Sequence, residues 1–176
     1  ADFVLKDADL SEILPKADTV IFDEAHQIPQ IAPIFLGENI STNQILYLVQ
    51  DANQILLKHL KDKEKLIELS RLINDSTNSI NVYFDKRNYR VGIEKIEKLD
   101  FFKDKINNLI DHLDKFCRFF DKYSEQDTEF KNLKERTEEI INKLKKWINY
   151  EDQSYVHWAD IFFKSVQFNV TPISIA

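Results

Sequence analysis

The sequence predicts a mostly α protein, an antiparallel helical bundle flanked by small α/β pieces. Three observations carry this. Apolar residues recur at helical spacing over most of the middle of the chain, short apolar runs suited to strands gather mainly at its two ends, and the whole contains only two glycines, Gly37 and Gly92.

Residues 1–40 mix strand-like runs, Phe3-Val4-Leu5 and Thr19-Val20-Ile21-Phe22, with a short helix starting near Asp9 or Ser11. That alternation suits an α/β layer with a parallel sheet. From Ser41, a good N-cap, Ile45, Leu48, Val49, Ala52, Ile55, Leu56 and Leu60 follow one helical face. A shorter helix is expected over Lys63 to Leu72, then a polar loop from Asn74 to Asn78. Ile80, Val82 and Phe84 alternate up to Asp85-Lys86-Arg87-Asn88, and Tyr89, Val91 and Ile93 alternate beyond it, which predicts a small hairpin.

Two long amphipathic helices come next. One carries the stripe Ile106, Leu109, Ile110, Leu113, Phe116, Cys117 and Phe120. The other carries Phe130, Leu133, Thr137, Ile140, Ile141, Leu144, Trp147 and Ile148. The intervening KYSEQDTE is short enough to fold them antiparallel, with Asp127 or Thr128 as cap. The last stretch, from Tyr155 onward, returns to strand-forming residues and predicts a hairpin turning near Lys164-Ser165. The helical block thus reads as an insertion between two pieces of β-containing structure.

Composition narrows the chemistry. The 176 residues are 43% hydrophobic and 31% charged, with a net charge of −6, which argues against a general polyanion binder and places any nucleic-acid contact on a local surface. No apolar run approaches the length of a membrane span, and no basic-then-apolar leader opens the sequence, so the expectation is a soluble, cytoplasmic protein. Cys117 is the single cysteine, so an iron–sulfur cluster or cysteine-rich zinc site would have to lie outside this chain. Neither glycine stands in a phosphate-cradling loop. A start at Ala1 without methionine suggests a segment of a longer protein.

The stretch with the most chemistry is TVIFDEAHQIP, residues 19–29. An apolar strand ending in Asp23-Glu24 places two carboxylates at the C-terminal edge of a sheet, where α/β proteins bind ligands. In nucleotide hydrolases a strand-end Asp holds Mg²⁺ and a neighbouring Glu orients and deprotonates water. Alternatively, the two acids merely begin a helix, where they favour the dipole.

Elsewhere the blander readings dominate. His59, His112 and His157 have no metal-ligand spacing with one another or with His26. Trp147 belongs to the core stripe and Trp158 to the terminal hairpin. Lys143, Lys145 and Lys146 form a solvated helix face, with Glu139 and Lys143 paired at i,i+4. Tyr83, Phe84, Lys86, Arg87, Tyr89 and Arg90 interleave aromatics with cations, as single-strand binders do, or simply build an ordinary hairpin.

VIFDEAHQIP resembles the Walker B box of the DinG/YoaA branch of superfamily-two DNA helicases, relatives of XPD. The resemblance extends through ADFVL and LPKADTVIFDEAH before it and LGENIS after it, and through FKNLKERTEEIINKLKKWI and VHWADIFFKSVQFNVTPISIA near the end. It implies a motor driven by ATP and Mg²⁺ that translocates on single-stranded DNA and unwinds duplexes, acting on single-stranded or forked DNA with replication or repair proteins as partners. Residues 1–40 would then be part of a RecA-like first motor domain, 41–153 a helical arch-like insertion, and 154–176 the return into the motor domain. Asp23 would hold Mg²⁺, Glu24 would activate water and His26 would couple the site to a second domain. An iron–sulfur cluster would belong to the parent protein, and a chain without the Walker A loop would not hydrolyse ATP alone. Lys86, Arg87 and Arg90 are the candidate DNA contacts.

Two other classes remain open. One is a non-catalytic interaction module presenting a helical face to a partner. The other is a metal-dependent hydrolase in which Asp23 and Glu24 converge with His112 or His157.

Overall fold

The computed structural model describes residues 37–59, 63–84, 87–124 and 127–173, among which four α-helices and four β-strands are found. In order these are β1 (Glu38–Ser41), α1 (Thr42–His59), α2 (Lys63–Asn81), β2 (Tyr89–Gly92), a single 3₁₀ turn (Ile93–Lys95), α3 (Leu99–Asp121), α4 (Thr128–Ile148), β3 (Tyr155–Ile161) and β4 (Val166–Pro172). The helical bundle and the small sheet expected from the sequence are both present. No helix of the described residues is long and apolar enough to cross a membrane.

Local signals set the helix starts. Ser41 Oγ accepts from the Gln44 amide at 3.2 Å, while Gln44 Oε1 accepts from the Ser41 amide at 2.8 Å. This reciprocal capping box opens α1. Asp127 Oδ1 accepts from the Glu129 amide at 2.9 Å and opens α4 as anticipated. α3 starts differently: Lys98, at its N-cap, has φ 47° and makes no side-chain cap. A non-glycine residue in that left-handed region stores strain.

The two long helices pack antiparallel along the stripes read from the sequence. Ile106, Leu109, Ile110, Leu113, Phe116 and Phe120 are buried on α3; Phe130, Leu133, Thr137, Ile140, Ile141, Leu144 and Trp147 are buried on α4. At about 1.5 Å per residue each is roughly 30–35 Å long. Aromatic side chains collect at both ends of the pair. At one end Phe116, Phe120 and Phe130 meet, with Phe116 and Phe120 centroids 4.7 Å apart. At the other, Phe102 and Trp147 meet Phe168 of β4, with Trp147 and Phe168 4.7 Å apart. This second cluster joins bundle to sheet.

The sheet has the order β1-β4-β3-β2, antiparallel throughout. Ile40, Ala159, Ile161, Val166, Phe168 and Val170 alternate onto one face and belong to the same core as the helices. β3 and β4 form the expected terminal hairpin, closed where the Phe162 amide donates to the Ser165 carbonyl at 2.8 Å.

Two expectations are corrected. The polar loop at Asn74–Asn78 is helix: α2 runs to Asn81, well past Leu72. Its poor helix formers are tolerated because their hydroxyls find partners, Thr77 Oγ1 on the Ile73 carbonyl at 2.7 Å and Ser79 Oγ on the Ser76 carbonyl at 2.8 Å. Ser70, Ser76, Thr77 and Ile80 are also buried, so packing overrides propensity. The hairpin across residues 80–93 does not form either. Ile80 lies inside α2, and β2 pairs with β3 some 70 residues later, Tyr89 facing Ile161 and Gly92 facing Trp158. Alternation identified the strand at Tyr89 but not its partner. The parallel sheet expected within residues 1–40 lies outside the described residues, except for β1, which is antiparallel to β4.

Candidate functional site

Strand alternation puts Arg90 on the sheet face turned away from the helical core, opposite Asp160. The two side chains lock as a fork, Nε to Oδ1 at 2.7 Å and Nη2 to Oδ2 at 3.0 Å. Asp160 Oδ2 also accepts from Trp158 Nε1 at 3.2 Å and from Asn169 Nδ2 at 3.1 Å, and Asn169 Oδ1 accepts from Gln167 Nε2 at 2.9 Å. The Arg90 guanidinium carbon stands 5.0 Å from the centre of the Trp158 ring. Five residues from three strands thus form one polar network around a single carboxylate. Its hydrogen bond to Asp160 raises the guanidinium pKa.

The sequence pattern found Arg90 but not the network, because the pairing that creates it is set by the distant β3. The period-two spacing of Trp158 and Asp160 was the available signal.

Of the other candidate DNA contacts, Arg87 is exposed at the approach to β2, and Lys86 lies outside the described residues. Tyr83 and Phe84, grouped with them in sequence, turn inward instead. Their rings sit 4.7 and 5.0 Å from Phe102, and the Tyr83 hydroxyl donates to the Glu97 carbonyl. Asp23, Glu24 and His26 also lie outside the described residues.

His112 and His157 are engaged locally. His112 Nδ1 lies 2.8 Å from Ser76 Oγ, and burial, followed by nearby Lys115, lowers its pKa. His157 is buried, with Nδ1 3.0 Å from the Trp147 carbonyl; burial lowers its pKa too. The carbonyl can only accept, so Nδ1 carries the proton. Trp147 Nε1 in turn donates to the Trp158 carbonyl at 3.0 Å, so α4 and β3 are tied twice. Among the described residues no group of three or more His, Cys, Asp or Glu side chains is placed to hold a metal ion. Cys117 is half-buried; burial, reinforced by Glu138, pushes its thiol up to about 11, so it is a poor nucleophile.

The solvated lysine face on α4 is held by carboxylates. Lys143 pairs with Glu139 as expected, Lys145 lies 3.8 Å from Asp114, and Lys146 reaches Glu38 on β1. Arg136 joins α4 to α1 through Asp51 at 2.8 Å. Of these four cations Lys146 ties α4 to the sheet, Lys145 and Arg136 tie it to α3 and α1, and Lys143 pairs within the helix.

No family model matches the chain. It is 32% identical over 96 residues to the ATP-dependent DNA helicase YoaA of Escherichia coli, an alignment covering 54% of this chain and 15% of the relative. It is 24% identical over 191 residues to the ATP-dependent DNA helicase YoaA of Haemophilus influenzae, covering all of this chain and 28% of the relative. The chain therefore spans less than a third of the length of these relatives. Similarity along its full length to the second relative, together with the mostly helical fold, supports the resemblance to a segment of a DinG/YoaA-type helicase.

Proposed function

We propose that this chain is the part of an ATP-dependent DNA helicase that carries the DEAH box and a helical arch-like insertion, in a protein that couples ATP hydrolysis to translocation on single-stranded DNA and duplex unwinding. The supporting observation is similarity over the whole chain to the YoaA helicase of Haemophilus influenzae, in a segment whose residues 20–29 read VIFDEAHQIP. In this reading residues 41–153 are the arch-like insertion, with 1–40 and 154–176 the flanking motor-domain pieces. Single-stranded or forked DNA is the substrate, and replication or repair proteins are the partners.

Asp23 holds the metal and Glu24 takes the proton from the attacking water, while His26 relays the state of the site to the second motor domain. Bound Mg²⁺ supplies neutralisation of the phosphate charge that develops during transfer. Lys86 and Arg87 contact DNA phosphates, and Arg90, forked on Asp160, fixes the strand that presents them. Any iron–sulfur cluster belongs to the rest of the protein, since this chain has one cysteine.

The test is steady-state ATP hydrolysis by the intact protein with and without single-stranded DNA. DNA-stimulated turnover that disappears in Glu24→Gln supports the reading. Turnover indifferent to DNA, or intact in that variant, overturns it.

A further inference from the structure

We propose that the tip of the β3–β4 hairpin is a stacking platform for the bases of single-stranded DNA, a proposal that rests on the helicase reading above. Phe162 and Phe163 are adjacent in the turn and remain 45% and 61% exposed. Two neighbouring rings that stay exposed offer their π faces to a ligand.

The turn is rigid. It is closed by the Phe162–Ser165 backbone bond, and its two ends are anchored by Ile161 and Val166, 2% and 1% exposed. The Val166 amide also donates to Thr42 Oγ1 at 3.0 Å, which pins the hairpin to the start of α1. The backbone that carries the rings is therefore fixed at this place.

Cations flank them. Lys164 lies in the turn itself and is exposed. On the other side, Tyr89 pairs with Ile161, so the chain entering β2 brings Asn88 and Arg87 to the level of the tip. Tyr89 is 40% exposed there. Arg90, the next cation along β2, is held by Asp160 and does not count toward the site. Asp160, the nearest ladder carboxylate, alternates onto the opposite face and is already neutralised by Arg90.

Rings between cations match the chemistry of a single strand, whose unstacked bases offer π faces and whose phosphates offer charge. A protein partner would be satisfied by apolar area alone.

The experiment compares binding of the intact protein to a fluorescent oligo(dT) and to an abasic oligonucleotide of equal length. Wild type should prefer oligo(dT). Replacing both rings, Phe162→Leu with Phe163→Leu, keeps apolar bulk but removes the π faces; it should weaken oligo(dT) binding by about tenfold and leave the abasic strand unaffected. The pair Phe162→Tyr and Phe163→Tyr should retain the preference. Arg87→Gln with Lys164→Gln should flatten the slope of log affinity against log salt by about 0.7 for each phosphate no longer neutralised. A leucine variant that keeps the full preference, or a wild type with none, overturns the platform. Loss of binding only when both rings become alanine also overturns it, because apolar bulk rather than a π face then supports the contact. Failure of the helicase reading shows separately, as absence of DNA-stimulated ATP turnover in the wild type.

Discussion

Arg90 and Asp160 meet fork to fork across the β2–β3 ladder, and the same carboxylate holds Trp158 and Asn169. The two partners are unequal: the Arg90 side chain is 65% exposed and that of Asp160 is 18% exposed. Arg90→Gln should cost at most about 1 kcal/mol, as exposed pairs do. Asp160→Ala strands the donors of Trp158 and Asn169 as well and should cost about 1–3 kcal/mol. Urea unfolding of both variants checks the order; equal losses would mean that the network is not centred on Asp160.

Asp23 and Glu24 should fail differently in the intact protein. Glu24→Gln keeps shape and a hydrogen-bonding group, so ATP and DNA should still bind while turnover drops about 10²-fold or more. Asp23→Asn weakens the metal site, so turnover should fall and the Mg²⁺ concentration required should rise. Magnesium titrations of ATPase rate separate the two. The isolated 176-residue chain, with no phosphate-cradling glycine loop, should show no hydrolysis.

Trp147 fills the joint between bundle and sheet and is fully buried against Phe102 and Phe168. Trp147→Ala should destabilise by about 3–5 kcal/mol. Trp147→Phe should cost less in volume but lose the bond to the Trp158 carbonyl. Thermal unfolding of the two variants should rank them in that order.

His157 makes stability fall on the acid side. Its folded pKa lies below the unfolded value of 6.5 because burial disfavours the imidazolium. The contribution is whole above pH 6.5 and is lost as the pH falls from 6.5 towards the folded pKa, since over that range the unfolded chain binds the extra proton. His157→Asn keeps a donor near the Trp147 carbonyl and removes the titration. The melting temperature of this variant should decline less steeply below pH 6.5 than that of the wild type, the remaining slope including His112, whose pKa is also lowered.

Lys98 occupies the left-handed region with φ 47°. Lys98→Gly should relieve that strain and raise stability by up to about 1 kcal/mol, read as a higher urea midpoint. An unchanged or lower midpoint would show that the Lys98 side chain contributes more than the strain costs.

What the sequence revealed followed the reach of each signal. The stripes of α3 and α4 were legible nearly residue by residue, because helical periodicity is local and both helices bury one face. The turn near Lys164-Ser165 and the Asp127 cap were legible for the same reason. α2 beyond Leu72 was not, since Ser76 and Thr77 are helical through their partners His112 and the Ile73 carbonyl rather than through propensity. The partner of β2 was not legible either: nothing near Tyr89 announces Ile161. The boundaries read at residues 41 and 153 cut across the sheet, whose strands come from the helical block and from both sides of it. For the site, the cations at Arg87 and Arg90 stood out in the sequence, but the carboxylate that occupies Arg90 and the rings at the hairpin tip lie about 70 residues away.

The pairing of β1 with β4 has a mechanical consequence. Glu38, at the start of β1, faces Val170, near the end of β4, so the chain arrives at and departs from this unit side by side. A load applied through both connections would not shear the whole ladder at once; it would peel Glu38 from Val170, then Asn39 from Asn169, one rung at a time. Rungs broken one at a time resist less than rungs sheared together, and the third, Ile40 from Phe168, would draw Ile40 out of the core it shares with the helices. How far the two ends of this unit can part is set by how many of those four rungs are closed.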